Sequence, residues 1–352
     1  MPSSHALNPD KNFQDYASDT WSLEEGLPQI TVLAITQDQT GYMWFATQAG
    51  VARFDGSVFK NYLHGHWGQV VKVGKDNTIW IGTNKGFAYY RDQEIHVLSA
   101  DGSGDVGPPN SPDVRAMLFT HADRLLAATD QGLLQVDIHG FHRDPLLPDV
   151  PLFSLLNWRG SLWAGGIGKL YEITADRVRT LDAPNLAGEI VTHLAAYDDT
   201  LWAGTNNGLF RLVNGKWLRC EGDPTQLHLA VNTFRVDSDD NFWVATNEGL
   251  ARLHRGRMTA FAESHDYQSA AQIESIFEDH EGSLWLGTRA HGMSRLWNGY
   301  TRRYSSQQGL RDPLVWSITP DRHDGIWVGT ANGIYRLQHG QFSSVLPGRR
   351  LP

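Results

Sequence analysis

The sequence predicts an all-β protein, a β-propeller of four-stranded antiparallel blades, on three observations. A Trp-x-x-Thr-x-x-Gly phrase recurs with Trp-to-Trp intervals of 36 to 46 residues, and a period near forty is that of propeller blades. Turn residues within each copy divide it into four short strand-like segments. The composition, 41 % hydrophobic and 20 % charged with 35 Gly and 13 Trp, is that of a packed globular chain rather than a disordered one.

The phrase is intact at Trp44-Thr47-Gly50, Trp80-Thr83-Gly86, Trp202-Thr205-Gly208, Trp243-Thr246-Gly249 and Trp327-Thr330-Gly333. Degenerate copies stand at Leu126-Thr129-Gly132, Trp163-Gly166-Gly168 and Trp285-Thr288-Gly292. In the first copy, residues 32–36 are short and apolar, as in a strand buried on both faces, and form strand A beside the axis. Asp38 and Gly41 bracket a type I turn in which the carboxylate accepts backbone N–H groups. Residues 42–47 are strand B, with Tyr42, Trp44 and Ala46 on one face. Gln48 and Ala49 turn the chain into strand C, 51–54, and Asp55-Gly56 turns it into the outermost strand D, 58–62. Asp237, Asp279 and Asp321 repeat the A–B turn, and Asn214-Gly215, Arg255-Gly256, Asn298-Gly299 and His339-Gly340 the C–D turn.

Residues 13–16 resemble a strand D ahead of the first copy and match the stretch 300–310 at the end of the seventh. Pairing an N-terminal strand with the last blade removes exposed strand edges. Eight blades closed in this way are favoured. The eighth copy has its own strand D candidate at 342–345, so seven blades plus a further unit stay open. The domain reading is a tail at 1–12, one propeller at 13–346 and a tail at 347–352.

A net charge of −9 and a pI near 5.9 argue against a nucleic acid partner, which needs clustered cations. The lone Cys220 excludes an intrachain disulfide. The first thirty residues have no basic start followed by an apolar run, and no stretch approaches the eighteen apolar residues of a membrane span. A chain complete as given is then cytoplasmic; a fragment of a larger membrane sensor is periplasmic.

The repeated Trp and Thr read as scaffold, filling the wedge between sheets and bonding turn backbone. Function is sought where copies differ, in the B–C and D–A loops that open at one end of the channel. The B–C candidates for ligand binding are Gln48, Asn84, Asp130, Asn206, Asn207, Asn247, Glu248, Arg289, His291 and Asn332. This ring of amides and charges suits hydroxyl-rich or zwitterionic small ligands, although Asn and Asp also favour turns for backbone reasons. From the D–A loops, Trp67 and Tyr267 could stack on a sugar or pack on the next blade, and residues 99–112 form the longest excursion. No zinc spacing, nucleophile elbow or phosphate loop is present, so no catalytic residue, metal or cofactor is assigned.

Residues 35–56, 275–299 and 317–340, and the Gly-Leu-Pro lead-in of residues 21–35, resemble the two-component regulator propeller repeat, over about 13–342. The resemblance implies a bacterial sensor in which a periplasmic propeller precedes an immunoglobulin-like domain, a membrane helix and a histidine kinase or diguanylate cyclase output. It implies a small-molecule or carbohydrate ligand, oligosaccharides being common in the kinase branch, and admits a homodimer. The chain as written lacks the signal peptide, sandwich domain, membrane segment and output domain of that arrangement. Two other readings stay open: a metal-dependent enzyme resembling the streptogramin-lyase propellers, and a protein-interaction scaffold.

Overall fold

The computed structural model describes residues 6–9, 11, 13–98, 111–144, 147, 149–174, 177–182, 188–220, 230–254, 257–260, 272–299, 304, 306–312, 314–321, 325–338 and 341–347. The described residues contain eight four-stranded antiparallel sheets. Sheet one runs Val32–Gln37, Met43–Thr47, Gly50–Phe54 and Phe59–Tyr62, the strands expected as A to D. In strand B all five residues are buried, because both of its faces are covered by neighbouring sheets.

The sheets fall into two compact units, Met1–Asn298 and Gly299–Pro352. In the first unit the A strands of seven sheets contact one another in sequence, and Ile273–Glu278 of sheet seven meets Val32–Gln37 of sheet one, which closes the cycle. Side-chain hydroxyls stitch the seams. Ser275 Oγ donates to the Val32 carbonyl at 3.1 Å, Ser154 Oγ to that of Val191 at 3.0 Å and Thr192 Oγ1 to that of Val231 at 2.6 Å.

The strand that completes sheet seven is Ala17–Trp21, paired antiparallel with Met293–Trp297. It therefore occupies the place expected for the stretch 300–310, of which 300–303 and 305 lie outside the described residues. Phe13–Asp15, where the strand was expected, is a 3₁₀ turn. Residues 6 and 7 were expected in a tail, yet Leu7 is only 1 % exposed and joins the core with Tyr16 and Trp243.

The second unit is one sheet, Val315–Pro320, Ile326–Thr330, Gly333–Gln338 and Gln341–Pro347. It has its own fourth strand, Gln341–Pro347, paired with Gly333–Gln338. Its strand A keeps the pairing of the others but not their burial. Ile318 pairs with Val328 as Ile35 pairs with Phe45, but Ile318 is 68 % exposed and Ile35 7 %.

The repeated phrase has a local mechanism. Thr47 Oγ1 donates to the Gly50 carbonyl at 3.0 Å and accepts the Ala49 N–H at 3.3 Å, which closes the B–C turn. The same bond to the Gly carbonyl recurs from Thr83, Thr129, Thr205, Thr246, Thr288 and Thr330. The glycine keeps a positive φ, +136° at Gly50, which a side chain would strain. The Trp indole is held by the A–B turn: Trp44, Trp243 and Trp285 donate Nε1–H to Asp38, Asp237 and Asp279 at 2.8, 2.7 and 2.7 Å.

Candidate functional site

Each B–C turn of the ring lies beside the start of strand A of its own sheet. Backbone bonds fix this: Asn84 N–H to the Trp67 carbonyl, Asp130 to Asp113, Asn206 to Ile190, Asn247 to Ala230 and Arg289 to Gln272, all at 3.0 to 3.3 Å. The B–C and D–A loops therefore share one end of each sheet.

The candidate residues at this end divide into two groups. In the first, side chains hold the loops. Asp130 Oδ1 accepts the Asp113 N–H and Asn206 Oδ1 the Ile190 N–H, each at 2.8 Å. Asn207 Nδ2 donates to Glu189 Oε1 at 2.8 Å, and Arg289 Nε to Glu274 Oε1 at 2.6 Å. In the second, Gln48, Asn247, Glu248 and His291 make no side-chain hydrogen bond among the described residues and, apart from half-buried Gln48, are exposed. Asn84 keeps a buried Oδ1 with no partner, and Trp67 is 48 % exposed. Asn332 lies in the second unit, where its N–H donates to Asp312 Oδ2 at 2.8 Å. Tyr267 and residues 99–110 lie outside the described residues.

A second group of polar side chains, not anticipated from the sequence, lines the channel itself. The A strands enclose a cavity of about 510 Å³ with Lys72, Arg115, His193, Arg235 and Glu274 on its wall. Register explains two of these cations. The strand A residue opposite the repeat Trp, or Leu126, is Thr36, Lys72, Leu118, Leu156, Ala195, Arg235 and Phe277 in sheets one to seven. Only sheets two and six place a charge there. Comparison of this position across the copies was the available signal, hidden by treating strand A as apolar throughout.

The channel cations are held under strain of charge. Lys72 is open to water in the cavity but ringed by protein, and this enclosure, reinforced by Arg235, lowers its pKa. Burial likewise lowers that of Arg235, against the pull of Glu278 at 3.8 Å. The His193 imidazole, 3.4 Å from Thr233 Oγ1, is pushed down to about 4 by burial and then by the Lys72 charge.

A pH dependence follows from His193. The unfolded imidazole takes a proton near pH 6.5 and the folded one near 4, so acid favours the unfolded chain. Stability should be full above about pH 6.5 and fall by on the order of 2–3 kcal/mol as pH drops through 4. Urea unfolding at pH 7.5 and 4.5 checks this: His193→Gln should flatten that part of the profile, and an equal slope in both proteins would refute the assignment.

The model of the two component regulator propeller matches residues 26–49 and 267–290. No curated protein sequence is significantly similar to the chain. Among solved structures, the extracellular domain assigned to the hybrid two component system BT3049 of B. thetaiotaomicron superposes with a TM-score of 0.77 at 21 % identity, over 94 % of this chain and 49 % of that one. The extracellular domain of BT4673 from the same organism gives 0.66 at 18 % identity, over 95 % and 47 %. The chain thus spans about half the length of these domains. Virginiamycin B lyase from Staphylococcus aureus gives 0.62 at 13 % identity, over 80 % of this chain and 99 % of the lyase. At these identities the likeness is one of fold. No helix among the described residues is long and apolar enough to cross a membrane.

Proposed function

This chain carries two-component regulator propeller repeats, and from that premise we propose that it is the ligand-sensing propeller of a bacterial signal-transduction system. It binds a small ligand, an oligosaccharide foremost, on the B–C and D–A loops at the mouth of the ring. The observation that carries this reading is the division of labour in those loops. The Thr and Gly of every copy but the fourth are committed to turn closure, whereas Gln48, Asn247, Glu248 and His291 offer donors and acceptors that no other described side chain takes up. Exposed Trp67 supplies an aromatic face of the kind that stacks on sugar rings.

Signalling then requires a ligand that distinguishes two states of the receptor. The output module, a histidine kinase or diguanylate cyclase, lies in a longer parent chain or a separate protein, with the propeller on the periplasmic side. The solved neighbours with sensor assignments are extracellular domains, which supports that location. A homodimer would place two such mouths under one control. The lyase likeness extends to the fold alone.

Thermal unfolding against a panel of oligosaccharides and amino acids tests the reading. A ligand that raises the melting temperature should lose at least tenfold in affinity when Asn247 and His291 are changed to Ala, which leaves the loop-holding bonds of Asp130, Asn206 and Arg289 intact. An unchanged affinity in that variant would sink the mouth assignment.

A further inference from the structure

The channel cations of the seven-sheet ring carry a second inference, independent of the mouth. We propose that the cavity between Lys72, Arg235 and His193 is a binding site for an anionic group, a carboxylate or a tetrahedral oxyanion.

Three observations combine. First, the cations are departures from the repeat: five of the seven A strands put an uncharged residue opposite the Trp, or opposite Leu126, and sheets two and six put Lys72 and Arg235. In a chain of net charge −9 this gathering of positive groups does not follow from composition.

Second, Lys72 has no counter-charge among the described residues, and that of Arg235 is partial, from Glu278 and Asp237. Lys72 makes no hydrogen bond or ion pair among the described residues. Arg235 reaches Glu278 only at 3.8 Å, and its Nε is buried with no hydrogen-bond partner. Glu278 is itself shared, accepting the Ser238 N–H and hydroxyl. The other carboxylates near the cavity are engaged: Glu274 by Arg289 and Gln272, Asp113 by Gln69 and Arg115. A channel wall that keeps an unpaired ammonium beside a partly compensated guanidinium concentrates positive potential, and with it anions, in the cavity.

Third, the space and the donors fit. The cavity of about 510 Å³ admits a small oxyanion or the charged end of an organic acid. Lys72 supplies an ammonium, Arg235 its Nη groups, and His193 an imidazole that can become a donor by taking a proton. Arg235 contributes to the lowering of Lys72, and Lys72 to that of His193, a field that an anion would relieve. Arg235 also lies 5.3 Å over the Phe277 ring, which holds the guanidinium in place.

The test uses the chain of residues 1–352 at constant ionic strength in chloride, titrated from pH 7 to pH 3 for the imidazole and held at pH 6 for thermal unfolding. Millimolar sulfate, phosphate or glucuronate is added, with glucose as the neutral counterpart of glucuronate. His193 is followed by imidazole NMR and stability by thermal unfolding. The expected result is a rise in the His193 pKa of about one unit and a higher melting temperature with an anion, and neither with glucose. Sulfate or phosphate acting alone would mark a site for a free oxyanion; glucuronate acting alone, the acid group of an organic ligand. Lys72→Met should weaken anion binding at least tenfold. Lys72→Arg should keep the response, and Asn247→Ala with His291→Ala should leave it unchanged. A Lys72→Met protein that responds to the anions as the parent does, or a parent whose His193 titration no anion moves, overturns the proposal.

Discussion

Deletion of residues 1–21 should abolish the cooperative unfolding of the seven-sheet unit. Three losses coincide. Sheet seven loses the strand Ala17–Trp21 and its five-residue register with Met293–Trp297, which leaves Met293–Trp297 as an unpaired edge. Leu7 and Tyr16 leave the core they share with Trp243 and Leu284. Trp21 leaves its stack on Trp285, 5.1 Å between centroids, and its edge contact with Phe54 at 5.4 Å. Burial of three such side chains contributes about 6 kcal/mol, as large as the whole margin of many domains.

The deletion also takes two hydrogen-bond partners from a buried cation. Arg252 donates from Nη1 to the Tyr16 hydroxyl at 2.8 Å and from Nη2 to the Pro9 carbonyl at 2.6 Å, with its guanidinium 5.5 Å over Trp243. Tyr16 in turn donates to the Asn8 carbonyl at 2.7 Å. Burial pushes its phenol up to about 12, so the hydroxyl stays protonated and keeps both roles. Far-UV dichroism and heat unfolding of the truncated protein should show a broad, low-temperature transition, and a synthetic peptide of residues 1–25 added in trans should restore part of the loss. A sharp transition within a few degrees of the parent would show that the N-terminal segment does not close the ring.

Much of this was readable in advance, and the failures have physical causes. Asp38, Asp237 and Asp279 were placed as turn carboxylates, because an acceptor is needed wherever a tight turn leaves N–H groups free. Their second oxygen, aimed at the indole, was not, because that bond depends on a side chain six residues away folding back. The eighth copy obeys the same local grammar as the first seven, and only a neighbour decides whether its apolar face is covered. Thus Ile318 and Ile35 look alike in sequence and differ in burial. At the mouth, amides were legible as a ring, but sequence cannot separate Asn206, consumed by the Ile190 N–H, from Asn247, which is not. In the channel, Lys72 and Arg235 were masked by apolar flanks, although alignment of the copies on their Trp exposes them.

The carboxylate and indole pair predicts the second large effect. Asp237→Ala should destabilise the ring unit by about 3–5 kcal/mol, several times the ~1 kcal/mol expected for removing one turn hydroxyl by Thr205→Val. Asp237 is buried, and its two oxygens accept five hydrogen bonds: from the N–H groups of Asp239 and Asn241, twice from Asn241 Nδ2, and from Trp243 Nε1. Alanine leaves the indole of fully buried Trp243 without that acceptor, and the loss of a polar partner inside a core weighs more than the net worth of the bond. The fourth sheet shows what a copy without the carboxylate looks like: its A–B turn carries Arg159 and Gly160, and Trp163 Nε1 is buried without a partner. The cost should be larger in sheet six, because Asn241 Nδ2 also donates to the Leu7 carbonyl at 3.3 Å and so couples the turn to the N-terminal segment. Asp237→Ala should therefore both lower the urea midpoint and speed proteolysis near residues 6–16, whereas Asp38→Ala in sheet one should lower the midpoint without exposing that segment. Equal proteolysis in the two variants would break the coupling between turn and closure.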